Sequence, residues 1–310
     1  MRLAVIGSGG VGGFYGGRLA HAGFDVSFVA RGAHLAAMRD HGLTIENEPQ
    51  GNIRLPRVAV TDDPGTIGVV DVVLIAVKLW DTEAAARAAR PLAGPHTAIV
   101  SLQNGVTKDD ILRRTYPASA VMGGVVYVAT AIARPGVISQ IGTMQRCVIG
   151  EYDGQPSARA ERLVDAMRQA GVQAEVSSDI RRSIWEKYVF LVGLSGTTAT
   201  IRSPLGPIRA NPHASAFLLD LMNETVAVGR ASGVDLPADY AAQRMAFAHS
   251  LPADMTSSMH HDLERGNPLE VDWLSGVVVQ LGEQLGVPTP ANRAVRDILA
   301  LYAGGRVTAT

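Results

Sequence analysis

The residues of this chain that could do chemistry begin with Gly7-Ser8-Gly9-Gly10-Val11-Gly12, which follows the apolar run Leu3-Ala4-Val5-Ile6 and spells G-x-G-x-x-G. In that pattern the first glycine permits a tight turn after a strand. The second lets the backbone approach a pyrophosphate, and the third lets the following helix pack closely on the strand. The helix then aims its free N–H groups and positive dipole end at the phosphates. The next β-rich run, 25–29, ends at Ala30-Arg31-Gly32. An NAD-binding chain usually carries an acid at such a place, against the ribose 2′-hydroxyl. Arg31 suits a 2′-phosphate instead through its charged fork, although a solvated loop arginine looks the same when taken alone. After this fingerprint the expected cofactor is NADP, as NADPH.

Two further strand ends carry polar residues. The run 72–77 leads into Lys78, and 98–101 leads into Leu102-Gln103-Asn104-Gly105. Ligands of such sheets bind outside the carboxyl ends of the strands, where the ribose and nicotinamide would lie. Asn-Gly is also an ordinary turn pair, and a strand-end lysine can simply be solvated. Farther on, Lys187 stands in Ile184-Trp185-Glu186-Lys187-Tyr188-Val189-Phe190-Leu191-Val192. On a helix it shares a face with Leu191 and Ser195. Such a lysine can reach past its neighbours to water, yet partial desolvation lowers a lysine's pKa and makes it a usable proton donor near neutrality. A last cluster runs Thr256-Ser257-Ser258-Met259-His260-His261-Asp262 and, after Gly266-Asn267-Pro268, Leu269-Glu270-Val271-Asp272. Ser258 near a helix start can bind a carboxylate or cap the helix, and Glu270 can be catalytic or a first-turn glutamate. Adjacent histidines point apart on a helix, and no further His or Cys stands at ligand spacing, so no metal site is expected.

The elements that must position these residues change character along the chain. Up to about 178, short apolar runs (3–6, 26–29, 72–77, 98–101) alternate with helical stretches (33–41, 82–90), which means a parallel sheet covered on both faces. Runs at 121–131, 137–140 and 146–149, broken by Pro135-Gly136 and Gly142, read as an antiparallel or mixed extension. A helix at 158–170 and a strand at 173–176 close this half. Beyond Ser178 or Asp179, either one a plausible N-cap, helices are expected over 180–194, 214–231, 238–248, 259–265, 270–285 and 291–302. The fold class is therefore α/β, a Rossmann-type doubly wound sheet over 1–178 followed by an all-helical domain over 179–310.

The bulk numbers narrow the partners. With 310 residues, 47% hydrophobic and 18% charged, the chain can build two cores. A formal net charge of −1 offers no field to gather nucleic acid. The single cysteine, Cys147, leaves no disulfide framework and reads as a buried apolar residue. The chain opens on a strand and a phosphate loop rather than a signal peptide, and 69–77 is too short to span a bilayer. A cytoplasmic protein without membrane or nucleic-acid partners is expected. The helical half is apolar enough to form a homodimer, for instance through 214–231, but a monomer's core helix reads the same.

As an ordered set, these motifs resemble the ketopantoate reductases (2-dehydropantoate 2-reductases). The likeness runs through Gly7–Gly12 with Arg31, Ala76-Val77-Lys78, Gln103-Asn104-Gly105, Trp185-Glu186-Lys187, and Ser257-Ser258-Met259 with Asp262, Glu270 and Asp272. It continues to Gly286-Val287-Pro288-Thr289-Pro290-Ala291-Asn292. The resemblance implies NADPH-dependent reduction of 2-dehydropantoate to pantoate in pantothenate biosynthesis. Arg31 would meet the 2′-phosphate, with Lys78 and Asn104 near the inner ribose and nicotinamide. Lys187 would be the proton donor, Ser258 would hold the substrate's polar end, and Glu270 would orient Lys187 or touch cofactor or substrate. The family commonly carries two asparagines facing the substrate one and two turns after that lysine, where this chain has Leu191 and Ser195. An uncompensated loss of such an amide costs roughly 1–3 kcal/mol. A reductase of the same fold acting on another 2-oxo acid or related carbonyl compound is the alternative.

Overall fold

The computed structural model describes residues 1–47 and 51–306. They form two compact units: residues 1–104 with 108–183, and residues 105–107 with everything from 184 on.

Among the described residues the first unit is built on one sheet of ten strands, β1 (Arg2–Ile6), β2 (Asp25–Val29), β3 (Leu43–Asn47), β4 (Ile53–Leu55), β5 (Ala59–Thr61), β6 (Val72–Ile75), β7 (Ala98–Ser101), β8 (Val121–Arg134), β9 (Val137–Gly150) and β10 (Gln173–Val176). The spatial order is β4-β3-β9-β8-β7-β6-β1-β2-β5, with β10 also against β9. From β5 to β8 every neighbouring pair is parallel. Those six strands reproduce the 3-2-1-4-5-6 order of a dinucleotide-binding sheet, whose order reverses between β1 and β6.

Alternate residues of the central strands feed two cores. Leu3, Val5, Val72, Leu74 and Val100 face α1 (Gly10–His21), α2 (Gly32–His41) and α5 (Ala158–Gln169), through Phe14, Tyr15, Leu35, Leu163 and Met167. Ala4, Ile6, Val73, Ile75 and Ile99 face α3 (Thr82–Ala88) and α4 (Lys108–Arg113), through Ala85, Ala86 and Leu112. Apolar residues on both faces are what a parallel strand buried on both sides requires. Cys147 lies in the first of these cores.

The sheet's extension differs from the sequence expectation of three separate strands. β8 and β9 form one long antiparallel hairpin turning at Pro135-Gly136, with register irregularities at Tyr127/Ala129 and Ile132/Arg134 that let it bend. β3, β4 and β5 are strands the sequence does not announce. Two of them are three residues long, too short to show alternation.

The second unit is helical. Its elements are α6 (Ile180–Ile201), whose first turn belongs to the sheet unit, then α7 (Leu205–Ala210), α8 (Pro212–Ala231), α9 (Tyr240–Ser250), α10 (Ser258–Arg265), α11 (Ser275–Leu285) and α12 (Pro290–Leu299). Asp179 rather than Ser178 caps α6, accepting from Arg182 N at 2.9 Å. The division falls after Ser183 rather than at 178. The reason is that Ile180 packs on the sheet, so close that a Cβ on Gly123 would stand 2.5 Å from its Cγ1. Conversely, Val106 packs against the helical unit's core.

α6 runs a full two turns past its expected end at 194 and stops at Arg202, whose φ of +54° is left-handed. α7 begins within Pro204–Pro207, which reads as a break. Proline is harmless in a first helical turn, where N–H groups have no partner anyway. The helix expected over 270–285 begins only at Ser275. Val271, Leu274 and Val278 are buried at helical spacing, but residues 271–274 form a turn. α8 directs Leu218, Leu221, Met222, Val226 and Val228 into its own unit's core.

Candidate active site

The glycine loop shows what its three spaced glycines, Gly7, Gly9 and Gly12, do. Gly7 turns the chain out of β1 at φ +92°, a region costly for other residues. A Cβ on Gly12 would lie 2.1 Å from the Gly7 carbonyl oxygen. A Cβ on Gly9 would meet nothing within 4 Å, so the loop opens outward just where a pyrophosphate needs to approach. The N–H groups of Gly7 and Ser8 both donate to Val29 O at 3.2 Å, and Ser8 Oγ donates to the same oxygen at 3.0 Å. α1, opened by Gly10 and Val11, has no acidic residue in its first turn, leaving its positive end uncompensated.

A histidine that the sequence does not single out braces this loop. His34 Nε2 donates to Ser8 O at 2.8 Å, while Gly136 N donates to His34 Nδ1 at 3.1 Å. Accepting at Nδ1 fixes the neutral Nε2–H tautomer, and burial pushes the ring's pKa down, partly offset by the Ser8 carbonyl. His34 thus joins α2, the phosphate loop and the turn of the β8–β9 hairpin.

Arg31, Lys78 and Asn104 stand at or just beyond the carboxyl ends of β2, β6 and β7, along the same sheet edge as the loop. Arg31 occupies the N-cap position of α2 with its side chain 74% exposed, and its guanidinium lies 3.9 Å from the Asp81 carboxylate. Lys78 is exposed, with Nζ 5.7 Å from the centre of the Trp80 ring. Asn104 is half-buried. Beside it, Gln103 ties the strand ends together. Its Nε2 donates to Val77 O at 2.9 Å and Thr82 Oγ1 at 2.8 Å, and its Oε1 accepts from Ser101 Oγ at 2.9 Å. Five residues on, the wholly buried Lys108 donates to Ser101 O and Gly124 O, both at 2.7 Å. Burial pushes its pKa down, countered by Asp109 at 3.6 Å. Gln103 stands in a motif the sequence marks beside a strand end, whereas no local pattern singles out Lys108 at the start of α4.

In the helical unit, Lys187 is half-buried on α6. The next residue, Tyr188, donates to Leu274 O at 2.7 Å. The N–H groups of Trp273 and Leu274 in turn donate to Glu270 O. Those bonds pin the Glu270 turn to the stretch of α6 that carries Lys187. Glu270 is buried, and it precedes α11 by five residues instead of sitting in its first turn. Leu191 packs against the helical core. Ser195 is wholly buried, and its Oγ has no hydrogen-bond partner. Ser257, not Ser258, caps α10: its Oγ accepts from His260 N at 3.1 Å and pairs with Thr198 Oγ1 at 2.9 Å. Ser258 is the exposed first residue of that helix. His260 is spent on Thr198 O at 2.7 Å and on Glu264 at 3.2 Å. Among the described residues no group of three His, Cys, Asp or Glu side chains could hold a metal ion.

The chain matches two family models, described as Ketopantoate reductase PanE/ApbA over residues 3–154 and Ketopantoate reductase PanE/ApbA C terminal over residues 179–303. It is 33% identical to a 2-dehydropantoate 2-reductase of Mesorhizobium japonicum, over 98% of each chain. It is 32% identical to an uncharacterized oxidoreductase of Bacillus subtilis, over 97% of this chain and 99% of that one. A solved PanE/ApbA family ketopantoate reductase from Ralstonia eutropha superposes with a TM-score of 0.88 at 35% identity, over 98% of each chain. A D-mandelate dehydrogenase solved with NADH and anilino(oxo)acetate shares the fold at a TM-score of 0.89 and 20% identity, over 98% of each chain. With a nucleotide loop on a parallel sheet and family matches across both halves, the chain belongs to the ketopantoate reductases, a family of pyridine-nucleotide-dependent oxidoreductases.

Proposed function

We propose that the chain reduces 2-dehydropantoate to pantoate with NADPH, a cytoplasmic step of pantothenate biosynthesis. The observation that carries the cofactor choice is Arg31, an exposed guanidinium at the end of β2 where an NAD-binding sheet usually presents an acid. The loop suits the rest of the nucleotide, with open space over Gly9 and an uncompensated helix end at Gly10 and Val11. Lys78 and Asn104, on the neighbouring strand ends, hold the inner ribose and the nicotinamide edge. When bound, the reduced nicotinamide supplies a hydride to the substrate's carbonyl carbon.

As that carbon becomes tetrahedral, negative charge gathers on its oxygen. Lys187 stabilises the charge and hands a proton from Nζ to the oxygen, which completes the alcohol. Glu270, whose turn is pinned to α6 through Tyr188, orients Lys187 or contacts cofactor or substrate hydroxyl. Ser258, with its hydroxyl free of the capping duty that Ser257 performs, binds the substrate's carboxylate at the start of α10.

One observation favours a second reading, reduction of a different and less polar 2-oxo acid. One turn after Lys187, Leu191 offers no hydrogen bond, and Ser195 one turn later is sealed in the core. Purified protein mixed with NADPH and 2-dehydropantoate should consume the nicotinamide's absorbance. No turnover at millimolar substrate removes the first reading, and ranking a panel of 2-oxo acids by kcat/KM decides for the second. Lys187→Ala should lower kcat by about 100- to 10,000-fold with little change in NADPH affinity. A comparable loss of NADPH binding would place that lysine elsewhere. Arg31→Ala should erode the preference for NADPH over NADH, and equal use of both by the unsubstituted protein counts against Arg31 as the phosphate ligand.

A further inference from the structure

The edge that receives the adenine ribose carries a carboxylate as well as a guanidinium. Asp81 lies 3.9 Å from Arg31, and its position is set by backbone rather than by a flexible loop. It closes the 3₁₀ turn Leu79–Asp81, where its N–H donates to Lys78 O at 2.9 Å. Leu79 anchors that turn in the protein interior. Thr82 Oγ1 donates to Leu79 O at 2.6 Å and accepts from Gln103, which also grips Val77 O. A dinucleotide sheet that selects NAD brings an acid from the end of its second strand. Here that position holds Arg31, and an acid reaches the same place from beyond β6.

We propose that Asp81 is a specificity-determining residue that weakens the discrimination exerted by Arg31. This rests on Arg31 as the ligand of the 2′-phosphate. A 2′-phosphate bound to Arg31 brings its negative charge against Asp81, which also competes for the same guanidinium. A 2′-hydroxyl carries no such charge and can donate a hydrogen bond to the carboxylate. Asp81 therefore penalises NADPH and supports NADH. Both side chains are substantially exposed, so the effect has the size of a solvent-screened pair.

The test is calorimetric titration of NADPH and NADH into the full chain and its Asp81→Asn, Arg31→Ala and doubly substituted forms, with no turnover involved. Asp81→Asn should raise the ratio of the NADH to the NADPH dissociation constant about two- to fivefold. The gain should shrink as salt is added and should be smaller once Arg31 is alanine. An unchanged ratio in Asp81→Asn, while Arg31→Ala lowers it, overturns the role of Asp81 and leaves that of Arg31 intact. A lowered ratio in Asp81→Asn means that the carboxylate aligns Arg31 for the phosphate, which also overturns the proposal. No change of ratio in Arg31→Ala removes the 2′-phosphate reading itself.

Discussion

Gly9 and Gly12 sit three residues apart in one loop and face opposite penalties. A methyl on Gly12 would strike the Gly7 carbonyl oxygen, so Gly12→Ala forces the loop and α1 apart. It should cost about 1–3 kcal/mol of stability and weaken NADPH binding as well. Gly9→Ala meets no protein atom within 4 Å, so it should leave the melting temperature nearly unchanged. Its methyl would instead occupy the ground a pyrophosphate approaches, and NADPH binding should fall. Thermal melts beside nucleotide titrations check the split, and a loss of stability in Gly9→Ala equal to that in Gly12→Ala would refute it. Such requirements are readable in a sequence because they are local, written in the spacing of three glycines. The bonds of His34 to Ser8 and Gly136 span 26 and 102 residues, and no local pattern encodes them. Gln103 is visible in the motif Gln103-Asn104-Gly105, but its bracing role is not, since its amide reaches Val77, 26 positions back. The burial of Ser195 was equally illegible. Helical spacing placed it on the face of Lys187, and only the packing of the helical core showed it sealed.

At the level of elements, α4 is fixed to the sheet by charge as much as by apolar contact. Lys108 bridges Ser101 O and Gly124 O, and the neighbouring Asp109 accepts from Tyr152 Oη at 2.5 Å. Burial raises the Asp109 pKa, against the opposing pull of Lys108. Lys108→Met leaves two carbonyls and a carboxylate without that ammonium, and should cost about 3–5 kcal/mol. Lys108→Met with Asp109→Asn should be less damaging, because the amide leaves no buried charge unpaired. Urea unfolding of both variants measures the difference, and equal losses would show that the charge of Asp109 does not matter. Element existence was largely legible where periodicity was strong, as in β1, β6, β7 and α5. It failed where one period ran through two conformations, as at 271–278, where buried residues keep helical spacing through a turn. It failed again in β4 and β5, too short for any alternation to register.

Across the whole molecule, buried phenols set an alkaline limit. Burial pushes the Tyr116 hydroxyl, which donates to Ala86 O at 2.7 Å, up to about 12. Burial raises Tyr15, Tyr152 and Tyr188 as well. A phenol whose pKa is higher in the folded state keeps its proton there while the unfolded chain releases one. Its stabilising contribution is whole below the ordinary value of about 10 and is lost as pH climbs from there through 12. Denaturant midpoints should therefore decline above about pH 10, with phenolate absorbance rising as the protein unfolds. Tyr116→Phe should be about 1 kcal/mol less stable at neutral pH and decline less steeply in alkali. Phenolate absorbance that rises fully before unfolding would count against the burial of these rings.

The exchange of residues 105–107 bears on how such proteins can be recombined. A chimera spliced after Ser183 joins one relative's sheet unit to another's helices, yet it delivers the first relative's Val106 into the second relative's core. That residue is made well before the helices that enclose it, so a nascent chain must carry it unpacked until α6 and its successors emerge. A clean graft needs two cuts more, on either side of a tripeptide.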